Sequence, residues 1–426
     1  MKGFRVRILI RSFAAALAAV VTVTACEGSG KLLFNAATVN VQKVAGDAQT
    51  GLATYALNIP PAVKVSDASG HPVAGVQVVF NVTSGGGSIT GGVATSGSDG
   101  IAAVGSWTVP LGANTLSATV PRSSGPVSFT ATGVLSGYNI DVRFLTSVTA
   151  SQHAAFDSAA AHWERLIFGD VTDIPNFSSP AGACLGNEPA VNETVDDIII
   201  FATLDSIDGP GGILGQAGPC YIRFPTTSCP AGSCAWLPLM GVMMFDTADV
   251  ANLESSGKFD EVVFHEMGHV LGFGTVWSSN YLNLLVGPAS SGGLDPHFIG
   301  TQAVAGFNRS GGTGYSAGAK VPVENTGGAG TRDSHWRKTV FGPELMTGFL
   351  TSGVPNPLSV VTVASMGDEG YRVNYAGADP FALSLAAAFL RSPGATTEIH
   401  LRDDVLRLPI GLVNERGRLV GVVQPR

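Results

Sequence analysis

His265 and His269 stand four residues apart in the string His265-Glu-Met-Gly-His269, inside an apolar pattern of Val262, Val263, Phe264, Val270 and Leu271. On a helix this spacing puts both imidazoles on one face, where two neutral ring nitrogens can meet one zinc ion. Glu266, one residue on, points to the side of the metal, where its carboxylate can take a proton from a water and return it to a leaving amine. That is the chemistry of peptide hydrolysis. Two imidazoles beside a carboxylate would be costly to bury without a cation.

A catalytic zinc takes a third protein ligand and keeps a fourth position open. The compact metzincin spacing would place that ligand at position 275, which holds Thr275, although Gly272 can supply the sharp turn after the helix. No Glu occurs between Glu266 and Glu324, which disfavours a Glu ligand of the thermolysin kind and leaves Asp295 as the acid for such a role. Two later histidines remain, His297 and His335. The Leu-Asp-Pro-His297 neighbourhood carries no metal logic, so His297 is expected to be a non-ligand.

The string Pro322-Val-Glu-Asn-Thr-Gly-Gly-Ala-Gly-Thr-Arg-Asp-Ser-His335-Trp336, with Phe341-Gly-Pro-Glu-Leu-Met346-Thr-Gly348, resembles the leishmanolysin family of metallopeptidases. The likeness continues through Asn356-Pro-Leu-Ser359 to Asn374-Tyr375 and covers roughly residues 138 to 381. It implies an α+β metzincin-type domain with one catalytic Zn²⁺ held by His265, His269 and His335, Glu266 as the base, and Met346 as the Met-turn residue beneath the metal. It also implies that a substrate peptide pairs antiparallel with an edge strand beside the active-site helix, with Gly241 to Asp246 as the candidate edge. The family's inhibitory propeptide Cys has no counterpart, since Cys26 is the only Cys before Cys184. How latency is enforced is left open.

The elements that must position these residues fall into blocks. Residues 36–137 hold period-two runs such as Val76, Val78, Phe80 and Val82, with turn signals every 8 to 12 residues, the rhythm of an all-β sandwich. Pro72 to Phe80, Ser98-Asp-Gly-Ile-Ala102, Trp107 and Asn114 to Val120 resemble the bacterial immunoglobulin-like domains of invasin-type surface proteins. That resemblance implies a spacer or an adhesive module. From residue 138 to 383 the texture is mixed: a helical pattern from Ser151 to Phe168, strand candidates at Asp197 to Thr203 and Gly241 to Asp246, and the helix from Lys258 to Leu271. Gly-rich residues 286–334 read as long functional loops. Residues 384–426 form an extension with an apolar stretch at Leu385 to Leu390 and strand-like alternation (Val405, Leu406, Leu408, Val413) around an Asn414-Glu-Arg-Gly417 turn; it suggests no function.

Lys2, Arg5, Arg7 and Arg11 precede a short apolar run ending in Val23-Thr-Ala-Cys26, the plan of a signal peptide over residues 1–25. The Val-Thr-Ala-Cys string resembles the bacterial lipoprotein box, which implies lipidation of Cys26, a linker over 26–35 and a membrane-anchored chain facing the cell surface or periplasm. An ordinary secretory signal is the alternative. Removing the leader takes four cations and no acid from a formal charge of −8, leaving −12. With 24 Lys+Arg against 32 Asp+Glu and no basic run after the leader, nucleic acid is not an expected partner. Cys184, Cys220, Cys229 and Cys234 are an even number, which in an oxidising compartment favours two disulfides over a four-Cys zinc site. Cys229 with Cys234 would close a small loop and leave Cys184 with Cys220, although spacing does not fix the pairing.

The reading is therefore an exported, membrane-tethered zinc metalloendopeptidase acting on proteins or peptides. Its rivals are a surface adhesin whose peptidase-like domain is inactive, and an enzyme that only processes itself.

Overall fold

The computed structural model describes residues 38–230, 233–383 and 398–425. The expected signal peptide, Cys26, the linker and the Leu385 to Leu390 stretch lie outside them. Among the described residues no helix is long and apolar enough to cross a membrane.

The N-terminal part is all β. One sheet has three antiparallel strands, β1 (Asn40–Ala45), β3 (Ala62–Ser66) and β7 (Ile101–Ala103). A second has five, in the order β2 (Gln49–Leu52), β10 (Val127–Val134), β9 (Gly112–Thr119), β4 (Gln77–Ser84) and β6 (Val93–Thr95); β5 (Ser88–Thr90) and β8 (Ser106–Thr108) pair separately. Alternation along β9 and β10 explains the packing: Leu116 and Ala118 are buried, Phe129 and Ala131 likewise, and the residues between them are not. Phe129 lies opposite Leu116 in the antiparallel register. Val63, Val65, Phe80, Trp107, Leu116 and Phe129 form one core shared by both sheets.

The second part is built on a six-stranded sheet in the order β11 (Ile140–Phe144), β14 (Ile198–Asp205), β16 (Pro238–Asp246), β15 (Gly215–Arg223), β22 (Ile410–Val413) and β23 (Leu419–Val423). β11, β14 and β16 run parallel, and β15 runs antiparallel to β16. The continuous apolar run of β14 is buried on both faces, as the interior of a covered sheet requires. β16 is therefore not an edge: the strand expected at Gly241 to Asp246 has β14 on one side and β15 on the other. Gly218-Pro-Cys220 disguises β15 in the sequence, and its register shifts where Pro219 withholds a ladder donor.

Three helices back this sheet. α1 (Ala150–Leu166) starts with a capping box between Thr149 and Gln152. α2 (Thr247–Ser255) is capped by Asp246, whose carboxylate also accepts the amides of Ile207, Asp208 and Gly209. α3 (Phe259–Val270) carries the two histidines and packs on β15 and β16. The indole N–H of Trp163 on α1 donates to Phe264 O on α3 at 3.1 Å, tying the two helices together. A hairpin of β12 (Ile174–Ser179) and β13 (Val191–Val195) flanks the sheet. The Gly-rich stretch after α3 contains a small sheet, β17 (Leu285–Val286), β18 (His297–Phe298) and β19 (Val321–Pro322), and helices α4 (Thr301–Phe307) and α5 (Thr313–Ser316). α6 (Lys338–Phe341) and α7 (Val360–Glu369) follow, and β20 (Phe349–Thr351) pairs with β21 (Glu398–His400). Disulfides join Cys184 to Cys220 and Cys229 to Cys234.

Truncating Phe129 to Ala removes a ring fully buried between the two N-terminal sheets. The loss is expected to be about 3–5 kcal/mol for that part of the chain. It should register as a lower urea midpoint with an unchanged slope, while bound metal stays constant.

Candidate metal centre

α3 is hydrophobic on nearly every side, with Val262, Val263, Met267 and Val270 fully buried, so its polar residues His265, Glu266 and His269 sit in the core rather than at the surface. The helix stops because Gly272 (φ +117°) and Gly274 (φ +76°) turn the chain in conformations that favour glycine. The chain then makes a long excursion and returns with His335, fully buried beside the other two.

Each imidazole is oriented by its back nitrogen. His265 Nδ1 lies 2.7 Å from Leu345 O, His269 Nδ1 2.9 Å from Phe273 O, and His335 Nδ1 2.8 Å from Thr331 O. A carbonyl only accepts, so each Nδ1 carries the proton, and the neutral ring leaves Nε2 as a bare lone pair. The three Nε2 atoms converge: 3.0 Å from His269 to His265, 3.0 Å from His269 to His335, and 3.2 Å from His265 to His335. Tetrahedral ligands about 2.0–2.1 Å from a zinc ion lie about 3.3 Å apart, so the spacing fits that metal.

A fourth donor was not foreseen. Asp404, from the C-terminal extension, brings Oδ2 to 3.2 Å from His265 Nε2 and 3.0 Å from His335 Nε2, and all four residues are fully buried. Burial lowers the proton affinity of His265, and lowers that of His269 well below its ordinary value, where the neighbouring imidazoles add to the effect. Burial pushes His335 the same way, but the Asp404 carboxylate outweighs it and the net shift is upward. Asp404 itself is held low despite burial, because the histidines surround it. One proton on His335 could satisfy one pair of donors; a divalent cation satisfies all four.

Glu266 is buried beside this cluster, and neither of its carboxylate oxygens has a hydrogen-bond partner among the described residues. Burial, and then the Asp404 charge, push its pKa well above the usual carboxylate range. A partnerless buried carboxylate is costly to keep unless chemistry uses it.

Met346 is also fully buried, next to α3: a Cβ on Gly268 would lie 2.9 Å from Met346 Cε and 3.0 Å from Trp163 Cζ2. The glycine inside the histidine motif thus leaves room for the methionine and the indole packed against it. Glu344 fixes this turn, accepting the Met346 amide at 2.6 Å, the Ser359 hydroxyl at 2.8 Å and the Thr362 hydroxyl. Of the other expected candidates, His297 lies in β18 with Nδ1 on Asp295 O, and Asp295 pairs with Arg337 and Lys320, so neither joins the cluster. Asp404 gave no warning, because Arg402-Asp-Asp404-Val405 has no ligand spacing to the histidine motif.

Residues 197–401, slightly under half of the chain, match the leishmanolysin peptidase family model. No curated protein matches the chain closely enough to count as a relative. Among solved structures, the chain is 22% identical to the D00-D0 domain of intimin, covering 22% of this chain and 45% of that one, with a TM-score of 0.19. It is 24% identical to a C-terminal intimin fragment in complex with the intimin-binding domain of the translocated intimin receptor, covering 22% of this chain and 33% of that one, again with a TM-score of 0.19. The chain thus spans less than half the length of either structure.

Gly274 approaches the turn that delivers His335: a Cβ there would lie 2.2 Å from Ser334 O, on a left-handed backbone besides. Gly274→Ala is therefore expected to shift His335 and lower zinc affinity on the order of 10–100-fold, the usual cost of disturbing a ligand's support. Competition against a chromophoric chelator, with circular dichroism as the check on folding, measures it.

Proposed function

With residues 197–401 as a leishmanolysin-family metallopeptidase segment, we propose that the chain is a zinc metalloendopeptidase of the metzincin kind, hydrolysing peptide bonds in protein substrates. The observation that carries this reading is the set of three Nε2 lone pairs aimed at one point, with Glu266 on the same helix beside it. His265, His269 and His335 would hold the ion. Bound there, zinc supplies Lewis acidity that polarises a peptide carbonyl and makes a water acidic enough to lose a proton near neutral pH.

The chain's own groups do the rest. Glu266 takes the proton of the attacking water and delivers it to the departing amine; its raised affinity for protons suits a group that must both accept and release one. The carbonyls of Leu345, Phe273 and Thr331 keep the three imidazoles in the tautomer that presents Nε2. Met346 and Trp163 pack against α3 and support the helix that carries His265 and His269.

Around this centre we read residues 36–137 as an immunoglobulin-like β-sandwich and 138–383 as the α+β peptidase domain. Residues 1–25 are read as a leader and Cys26 as the lipidated residue of an exported, membrane-tethered protein. The sandwich then acts as a spacer lifting the peptidase from the membrane.

Glu266→Gln keeps the shape of the side chain and removes its basicity. Casein hydrolysis by the zinc-loaded chain is expected to fall about 10²–10⁴-fold while one zinc per chain is retained, and removing the metal with a chelator should abolish hydrolysis in the parent. Activity that survives the substitution would exclude Glu266 as the base.

A further inference from the structure

The C-terminal extension is threaded through the metal centre. Leu401 N–H donates to Gly348 O at 3.2 Å, Gly330 N–H to the Asp403 carboxylate at 2.9 Å, and the Thr331 hydroxyl to Arg402 O. On the opposite wall, Gln216 donates to Asp403 O at 2.7 Å, Ala217 N–H to Asp404 O at 2.8 Å, and Leu406 N–H to Ala217 O at 2.9 Å. Further along, β22 pairs with Tyr221 to Arg223 of β15. The extension therefore bridges the loop that carries His335 and the strand β15 that faces α3, and covers the outer edge of that strand. Without it, β15 would be the exposed border of the sheet beside the histidines. The extension runs parallel to β15, opposite to the antiparallel course expected of a substrate.

At the centre of this strap Asp404 Oδ2 takes its place among the three Nε2 atoms. Four protein donors close a tetrahedral zinc site, whereas hydrolysis needs one position left to water. A purely structural closed site has no use for a base, yet Glu266 is buried beside this one with both oxygens free of hydrogen bonds among the described residues. The family match ends at Leu401, so the fourth donor lies three residues beyond the matched segment.

We propose that residues 398–425 are a built-in inhibitor: Asp404 is a displaceable fourth ligand of the zinc, and its flanking main chain occupies the edge of β15 that a substrate peptide would use. This rests on the zinc peptidase reading above. As folded, the enzyme turns over at a low basal rate, and full turnover requires Asp404 to give up its position at the metal. A cleft of about 330 Å³ already opens beside the strap, between Ile213, Thr331, Phe349, His400 and Asp403.

The test compares the full chain with Asp404→Ala, Asp404→Asn and the double variant Asp404→Ala/Glu266→Gln. Metal content, the visible spectrum of the cobalt(II)-substituted protein, and hydrolysis of fluorogenic casein are read for each, with thermal unfolding to confirm that the variants fold. The expected result is one metal per chain throughout, a cobalt spectrum that changes in both single variants, and casein hydrolysis at least tenfold faster in Asp404→Ala, all of it lost in the double variant. Loss of the metal from folded Asp404→Ala and Asp404→Asn would make Asp404 a permanent ligand and overturn the proposal. Unchanged spectra with Glu266-dependent hydrolysis equal to the parent would overturn the inhibitor alone and leave the peptidase standing. A carboxylate-dependent spectrum with no Glu266-dependent hydrolysis in any chain would overturn both.

Discussion

The structure depends on three hydrogen bonds that do not touch the reaction. Each links the back nitrogen of an imidazole to a main-chain carbonyl and thereby decides which nitrogen is bare. Were the tautomers free, three buried rings within 3.2 Å of one another would rearrange to share protons. Fixed as they are, their lone pairs face one point, and only a cation resolves the repulsion. The accepting carbonyls come from three different places: the turn after α3, the Gly-rich loop before His335, and the turn that carries Met346. Much of the fold around the site can be understood as the scaffold that holds those three carbonyls still.

Around the site, some buried polar groups are fully satisfied and others are not. Glu344 is buried, yet it gathers four donors from Met346, Ser359 and Thr362, hydrogen bonds that lock the turn and offset part of its desolvation. Glu369 shows the contrast. It accepts from the Trp277 indole at 2.7 Å, its other oxygen has no partner among the described residues, and burial pushes its pKa up to about 8. The two carboxylates are equally buried; the difference lies in the number of donors aimed at them.

The histidine pair and its base were legible because a helix converts sequence spacing into spatial proximity directly. His335 and Met346 were legible only through the resemblance of a longer string, since no local period ties them to α3. β15 was hidden by Gly218 and Pro219, residues that argue against a strand, and its omission made β16 look like an edge. Asp404 was out of reach for a different reason. It arrives by long-range strand pairing, and the alternation of Val405, Leu406 and Leu408 announces an extended chain without saying which strand it will join. The N-terminal β pattern was the easiest to read, because its long strands β9 and β10 bury every second residue along most of their length.

His265 and His335 are 70 residues apart, and Asp404 is 139 residues from His265. No partial segment of the chain can assemble these donors, and bringing them together waits on ordering everything in between. A metal bound by all of these donors is therefore acquired late, once the whole domain has folded. The ion found in the protein would then reflect the metals available at the moment the domain closes.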